Sequence, residues 1–354
     1  MTFSPADETV YLRYTQVLAG GGGYARIIRM FIDDRGMWVF PNPLRWGYLG
    51  ATTLFCSLTG KSTYRELATL STIAGIAAVA LTYWIGLRLF EPTTALFAAA
   101  LMATSPLQLA LGRRALSDEF FCAVVLGSIV AMLAVARPSP GPFAPLRGRP
   151  LPLRGRGALV TVWVVVTTLA FAAKEQFVFI YPVVLLFWWL RERKLRWIWA
   201  LPPVLFFGVF CLLARDVTSF FRIARIIASV LNAPYAQQYQ NGPPHRLLID
   251  FLAIAPLVTI AFIAAAWMRR REPLLVLAIG ILVVHSLISS KNLRYVVTAD
   301  PLMRLMVASA FPRKSFLLIN AVVELALFHI IFIAEGVYDP VTYELLRALR
   351  MVPL

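Results

Sequence analysis

Four short stretches of the sequence place acids and bases that could do chemistry within an otherwise apolar chain. These stretches are Asp7-Glu8, GRRALSDEFF at 112–121, Lys174-Glu175 and KNLR at 291–294. Charges in such surroundings are costly unless they lie at a membrane surface, line a hydrated cavity or take part in a reaction. Carboxylates of this kind can accept a proton from a nucleophile, and the bases can bind a phosphate.

The composition indicates that the elements positioning these charges are membrane-spanning helices. The 354 residues are 59% hydrophobic and only 15% charged, whereas soluble domains are about 25% charged. The apolar residues fall in long blocks, which predicts an all-α, polytopic transmembrane helical bundle. A net charge of +16 could suit nucleic acid. However, the basic residues cluster in short loops between apolar runs, so we expect no nucleic-acid partner and predict contact with membrane lipids instead.

About ten apolar stretches approach the length needed to cross a hydrocarbon core of ~30 Å. They cover approximately residues 67–88, 93–111, 117–136, 158–173, 176–190, 197–214, 247–268, 273–289, 294–311 and 315–334. The two short stretches 158–173 and 176–190 could instead form a re-entrant hairpin. The domain prediction has three regions: an arm on the outer face over 1–66, the transmembrane domain over 67–334 and a short outer tail over 335–354.

The arm is predicted to contain an interfacial amphipathic helix, because four large apolar residues recur there at helical spacing. They are Tyr24, Ile27, Ile28 and Phe31. A second interfacial helix is predicted near 220–231, where Arg222 and Arg225 lie opposite an apolar face. That second helix could equally pack on the outer face of the protein.

Charge counting orients the predicted spans. One set of alternate connections holds 15 of the 34 Lys and Arg but only three of the 18 acids. Since basic loops stay on the cytoplasmic side, this set is predicted to be cytoplasmic and includes the Pro/Gly/Arg-rich linker 137–157. The remaining connections, including the long loop 215–246, then lie on the outer side of a cytoplasmic (inner) membrane. The four charged stretches all fall on this outer face.

Each charged pair also has a plain structural reading. Asp118-Glu119 could cap the helix that follows, because carboxylates favour a helix N-terminus. Lys174-Glu175 could be a self-paired turn, and Arg113-Arg114 could be headgroup anchors. Their convergence on one face favours a shared site instead. Arg304 and Glu324, near mid-membrane in neighbouring predicted helices, are interpreted as a buried structural ion pair.

Four motifs in order resemble those of the GT-C superfamily of polytopic glycosyltransferases, which includes the protein O-mannosyltransferases and the aminoarabinose transferases of lipid A. The motifs are ADETVYLRY (6–14), SPLQLALGRRALSDEFF (105–121), AAKEQFVFIYP (172–182) and KNLRYVVTADP (291–301). The resemblance implies a GT-C-like bundle. It also implies transfer of a sugar, with inversion at the anomeric carbon, from a polyprenyl-phosphate donor to a lipid, glycan or protein acceptor outside the membrane.

The resemblance implies roles for individual residues. Asp7 resembles the catalytic base, and Asp118 the second acid of the site. Phosphate binding falls to Lys174, Lys291 and Arg294, with Arg113 and Arg114 as secondary candidates. Further substrate-binding candidates are Glu8, Glu119, Glu175 and, in the outer loop, Tyr239. No cofactor is certain, and a divalent metal is left open because some relatives coordinate one.

Two departures qualify the resemblance. Family members have a transmembrane helix before the first acidic loop, whereas this sequence begins almost at that loop, so we expect such a helix to precede it. The C-terminal tail is also short for a soluble acceptor-binding domain. The competing function class is a polytopic transporter or lipid-linked-sugar flippase, although no internal repeat is evident and the unusual charges lie at one surface.

Overall fold

A computed structural model describes residues 6–135, 153–194, 197–230, 240–288 and 290–351. Most of the predicted linker 137–157 and part of the loop 215–246, with Tyr239, lie outside these ranges. Within them the chain is helical and contains no strand. The α-helices are α1 (Ala6–Ala19), α2 (Tyr24–Asp33), α3 (Trp46–Thr59), α4 (Tyr64–Leu89), α5 (Pro92–Ala103), α6 (Pro106–Gly112), α7 (Asp118–Val135), α8 (Leu153–Ala173), α9 (Phe177–Glu192), α10 (Leu201–Ala214), α11 (Thr218–Val230), α12 (Arg246–Ile254), α13 (Pro256–Met268), α14 (Pro273–Leu287), α15 (Ala299–Ala310), α16 (Lys314–Phe328) and α17 (Thr342–Ala348).

Every predicted apolar stretch is largely helical, and the prediction of an all-α membrane bundle is confirmed. Among the described residues, four helical segments are long and apolar enough to cross a membrane: Tyr64–Leu89, Asp118–Val135, Trp197–Ala214 and Lys314–Ala334. A fifth follows if α5 and α6, which meet at 58°, form one span. Shorter apolar helices occur at Gly157–Ala173, Pro256–Met268 and Pro273–Leu287. The count of about ten spans therefore stays a prediction.

Two of the predicted stretches are broken at a proline. Pro106 starts α6 within the stretch 93–111, and Pro256 starts α13 within the stretch 247–268. Proline lacks the backbone N–H of a helix interior and disfavours a helical residue before it, so the helix must end there and begin again. The side chain of Ser105 caps the new start by accepting from the backbone N–H of Gln108, at 3.4 Å.

The N-terminal region predicted as an outer arm packs into the same hydrophobic core as the bundle. The amphipathic helix predicted there exists as α2, but its apolar face is buried against protein rather than lipid. Tyr24 meets Phe210 of α10 edge to face, with ring centroids 6.4 Å apart. α11 likewise buries Ile223 and Ile226 while exposing Arg222 and Arg225. The amphipathic helix predicted in the arm therefore packs on the bundle, and its place at a membrane interface stays a prediction.

α7 lies at the centre of the bundle, packed between α4 and α8. Its side chains are buried along most of its length. α3 packs against α8 and approaches it closely because Gly47 has no side chain. A Cβ at Gly47 would lie 2.9 Å from the Cβ of Ala172, closer than real carbon contacts allow. This close approach brings the start of α3 to the end of α8, where Lys174 and Glu175 follow.

The middle of the bundle contains the predicted Arg304–Glu324 pair. Arg304 donates from Nη2 to Glu324 Oε1 at 2.8 Å and from Nε to Asp300 Oδ1 at 2.8 Å. Asp300 also accepts from Ser105 Oγ at 2.7 Å. All three charged side chains are at most 1% exposed. Such charges are tolerated in a low-dielectric interior because they are paired and hydrogen-bonded, so this part of the prediction is confirmed.

Replacing Arg304 by Met is expected to destabilise the bundle strongly, because two buried carboxylates would lose their partner. The expected loss is about 3–5 kcal/mol of unfolding free energy. Chemical unfolding in mixed detergent micelles measures it. Arg271→Met, at an exposed position between α13 and α14, is the matched control and should change the free energy little. Equal stability of the two variants would contradict the structural role of the pair.

Candidate active site

Asp118 stands at the centre of a group of charged side chains at one end of the bundle. Its Oδ1 accepts from Lys174 Nζ at 2.5 Å, and its Oδ2 accepts from Arg294 Nε at 3.3 Å. Asp118 and Lys174 are 0% and 1% exposed. The sequence places these residues 56 and 176 positions from Asp118, so the site is assembled by helix packing.

Arg294 links Asp118 to two further carboxylates. Its Nη2 donates to Asp7 Oδ2 at 3.0 Å, and its Nη1 donates to Asp339 Oδ1 at 3.0 Å. Asp7 comes from α1, and Asp339 from the segment between α16 and α17. Asp339 was missed by sequence reasoning. The available signal was an acid shortly after the last apolar stretch, on the face already predicted to carry the other charges.

The 3₁₀ turn Leu293–Val296 holds Arg294 in place. Asn292 caps this turn, because its Oδ1 accepts from the backbone N–H of Arg294 at 3.0 Å. The same side chain donates from Nδ2 to Asp339 Oδ1 at 3.2 Å. The ring of Tyr338 lies beside the guanidinium, with the centroid 5.9 Å from Arg294 Cζ. Arg294 is therefore positioned by its backbone as well as by its ionic partners.

Lys174 serves mainly to hold Asp118. Besides Asp118, its ammonium donates to the carbonyl of Arg294 at 3.3 Å. It also lies over the ring of Tyr295, 5.3 Å from the centroid. The pKa of Lys174 lies below its ordinary value, because burial lowers it more than the Asp118 carboxylate raises it. The ammonium is thus saturated by protein groups and reaches little solvent.

Glu175 pairs with Arg45, a residue that sequence reasoning missed. Arg45 donates from Nη2 to Glu175 Oε1 at 2.6 Å and from Nε to Oε2 at 2.8 Å, a bidentate geometry. Burial alone would raise the pKa of Glu175, but Arg45 outweighs burial and lowers it to about 2. Lys174 and Glu175 therefore bond to different partners, and the self-paired turn is excluded.

Arg113 and Arg114 bind the C-terminal segment of the described chain. Arg113 donates to the carbonyl of Phe332. Arg114 donates to the carbonyls of Tyr338 at 2.5 Å and Val337 at 2.7 Å. The turn between α6 and α7 is thereby joined to the segment that carries Asp339. These arginines shape the wall of the site instead of pointing free cations into it.

The remaining described site residues form no ion pair with Arg294. Glu8 accepts from the backbone N–H of Ala115 at 3.2 Å. The pKa of Glu8 lies above its ordinary value, because burial raises it more than the Arg114 guanidinium lowers it. The Glu119 carboxylate is fully buried beside Gly75 of α4.

Lys291 does not bond to the carboxylates around Arg294. Its ammonium donates to the carbonyl of Ile288 at 2.9 Å. Tyr239 lies outside the described residues.

The described residues do not form a metal site. No group of three or more His, Cys, Asp or Glu side chains among them is arranged to hold an ion. Asp7, Asp118 and Asp339 are each bonded to the Arg294 guanidinium instead.

Exposure differs sharply across the cluster. Asp118 is sealed, whereas the side chains of Asp7 and Asp339 are 26% and 18% exposed. The edge of Arg294 that faces Asp7 and Asp339 is therefore the side from which a ligand can approach. Chemically, the site offers a guanidinium for an anionic group and adjacent carboxylates for a proton.

Replacing Glu175 by Gln is expected to destabilise the protein by about 3 kcal/mol, because Arg45 would lose its buried partner. The folded pKa of about 2 lies below the usual value of ~4.3 for glutamate. The Arg45–Glu175 pair therefore stabilises the fold fully at any pH above the usual glutamate pKa. This stabilisation is lost as the pH falls from there towards 2.

Unfolding free energies of the wild type and of Glu175→Gln, measured between neutral pH and pH 3, test this. Glu192→Gln, at the far end of α9, is the control. A wild-type advantage that stays constant down to pH 3 would contradict the assigned pairing.

Comparison with known proteins shows what this arrangement is similar to. Residues 48–142 match the family model of dolichyl-phosphate-mannose-protein mannosyltransferase. No curated protein sequence matches the chain significantly.

Solved structures give the wider match. The structure of ArnT from Cupriavidus metallidurans bound to undecaprenyl phosphate matches with a TM-score of 0.51 and 18% identity, over 82% of this chain and 55% of that one. The oligosaccharyltransferase of Archaeoglobus fulgidus in the apo form matches with a TM-score of 0.53 and 13% identity, over 83% of this chain and 48% of that one. AglB from the same organism, in complex with an inhibitory peptide and a dolichol-phosphate, matches with a TM-score of 0.51 and 14% identity, over 86% and 45%.

The chain spans about half the length of the structures it matches. The likeness at this identity concerns the fold, and it confirms the resemblance that the four motifs predicted. The chain therefore shares its fold with these membrane-protein structures, and its residues 48–142 are similar to the dolichyl-phosphate-mannose-protein mannosyltransferase family.

Proposed function

We propose that this protein transfers a sugar from a polyprenyl-phosphate donor to an acceptor on the outer side of the cytoplasmic membrane. The observation that carries the proposal is the Arg294 cluster. One guanidinium meets carboxylates from three separate segments, at a single end of a membrane bundle. The mid-bundle Arg304 also meets two acids, but both are sealed, whereas Asp7 and Asp339 beside Arg294 are partly exposed. An arginine at an open edge surrounded by acids suits a reaction that handles both an anion and a proton.

Each group has a place in the proposed reaction. The acceptor's hydroxyl or amine attacks C1 of the sugar while the bond between C1 and the phosphate oxygen breaks. Asp7 takes the acceptor's proton, and the polyprenyl phosphate leaves with the bonding electrons. Arg294 stabilises the charge on that leaving phosphate. A single displacement inverts the configuration at C1.

Asp118 and Lys174 act together in this proposal. Because Asp118 is held by both Lys174 and Arg294, it fixes the guanidinium at the depth where the phosphate arrives. Lys174 contributes positive charge near the phosphate but keeps its bond to Asp118. Lys291, bonded to a carbonyl outside the cluster, has at most an accessory role for the lipid.

The donor class is supported by the bound lipids of the structural neighbours, undecaprenyl phosphate in one case and dolichol-phosphate in another. Both are polyprenyl phosphates. The outer orientation rests on the distribution of Lys and Arg along the sequence. A lipid, glycan or protein could each serve as acceptor.

Asp7→Asn is expected to lower sugar transfer at least about 100-fold, because the acceptor would lose its base. Membranes containing the full chain, incubated with a radiolabelled polyprenyl-phosphate sugar, give the rate. Asp33→Asn, on the exposed side of α2, is the matched control and should retain the wild-type rate. Near-normal transfer by Asp7→Asn at wild-type expression would refute the base assignment. Donor binding with no transfer by the wild type would instead favour a transporter or flippase.

Arg294→Ala is expected to weaken the binding of undecaprenyl phosphate by about 10- to 100-fold, the worth of a charge-assisted hydrogen bond. Binding to the purified protein in nanodiscs provides the measurement. Arg225→Ala removes an exposed arginine of α11 and should leave the affinity unchanged. Lys174→Ala is expected to weaken binding as well, by loosening Asp118. Unchanged affinity in Arg294→Ala would refute the phosphate site.

A further inference from the structure

Arg294 is bonded to three carboxylates before any ligand is bound. Its Nη2 lies 3.0 Å from Asp7 Oδ2 and 3.3 Å from Asp118 Oδ2, while its Nη1 lies 3.0 Å from Asp339 Oδ1. A phosphate binds an arginine through the same N–H groups, best in a two-point geometry. A two-point bond between the phosphate and the guanidinium therefore requires the displacement of at least one carboxylate.

The three carboxylates are not equally easy to displace. Asp118 is 0% exposed and also bonds to Lys174 at 2.5 Å. Moving Asp118 away would leave the buried Lys174 ammonium without its carboxylate partner, which is costly. Asp339 is held by Asn292 as well as by Arg294. Asp7 is the most exposed of the three, at 26%, and its ion pair within the described residues is with Arg294. Asp7 can turn to solvent at the least cost.

Resting on the proposed function, we propose that the donor phosphate displaces Asp7 from Arg294 and thereby frees the base for the acceptor. Before the exchange, one oxygen of Asp7 is occupied by the guanidinium. After the exchange, both oxygens can face the acceptor's hydroxyl or amine, next to the phosphate that is about to leave. Donor binding thus prepares the base, and the donor binds before the acceptor.

The exchange of Asp7 for phosphate predicts a change in lipid affinity that differs from the change expected if Asp7 were only a base or only held Arg294 in position. If Asp7 competes with phosphate, Asp7→Asn binds undecaprenyl phosphate more tightly than the wild type, by about tenfold for one charge-assisted bond that need not break. A base with no contact to the phosphate site would change the affinity only through the lost negative charge, as Glu8→Gln does. A carboxylate that merely positions Arg294 would give weaker binding when removed.

Glu8→Gln provides the control for the general field of a lost negative charge. Glu8 is the next residue of α1, and it bonds to the backbone N–H of Ala115 rather than to Arg294. Its removal should strengthen undecaprenyl phosphate binding less than about threefold. A gain in Asp7→Asn that does not exceed the gain in Glu8→Gln overturns the exchange.

Carboxyl labelling of the wild type gives a second measurement that does not depend on variants. The full chain in nanodiscs is treated with a water-soluble carbodiimide and an amine, with and without undecaprenyl phosphate, and labelled sites are quantified by mass spectrometry. The exchange predicts that the lipid increases labelling of Asp7 and leaves Asp118 unlabelled. Lipid binding without increased labelling of Asp7 overturns the exchange but leaves the proposed function standing. Absence of lipid binding to the wild type refutes the donor class itself, and the exchange with it.

Discussion

The pairing of Asp118 with Lys174 and Arg294 is the constraint on which the arrangement of this site depends. Three charged groups with little or no exposure cannot remain charged in an apolar bundle unless each is bonded to an opposite charge. These bonds tie the start of α7 to the connection between α8 and α9 and to the turn before α15. Helices distant in sequence are thereby aligned at one level of the bundle, and Asp7 and Asp339 can reach the same guanidinium.

In the described part of the chain, the ionic clusters around Arg304 and Arg294 are built on opposite principles. Around Arg304, in the middle of the bundle, every charged side chain is sealed and bonded to protein groups. Around Arg294, at the end, two of the carboxylates are partly open to solvent. Burial makes the first a structural element, since no ligand can reach it. The open edge makes the second a site, since its ionic bonds can be exchanged for bonds to a ligand.

The sequence predicted the helices well because an apolar run longer than a dozen residues has few alternatives in a membrane. It also predicted that Asp7, Asp118, Lys174 and Arg294 would meet, because the apolar runs between them place all four on the outer face of the predicted bundle. It failed where contacts depend on packing. Arg45 was missed as the partner of Glu175, because the close approach at Gly47 that brings them together has no signature in a single sequence. The sequence could not show whether the apolar face of α2 packs on protein or on lipid, since both environments favour the same apolar residues.

The central claim is that the open edge of Arg294 receives a polyprenyl phosphate. A cryo-electron microscopy map of the full chain in nanodiscs with undecaprenyl phosphate tests it most directly. The account predicts phosphate density within about 4 Å of the Arg294 guanidinium, with Asp118 still bonded to Lys174. Phosphate density elsewhere on the protein, with Arg294 still bonded to Asp7, Asp118 and Asp339, would contradict it.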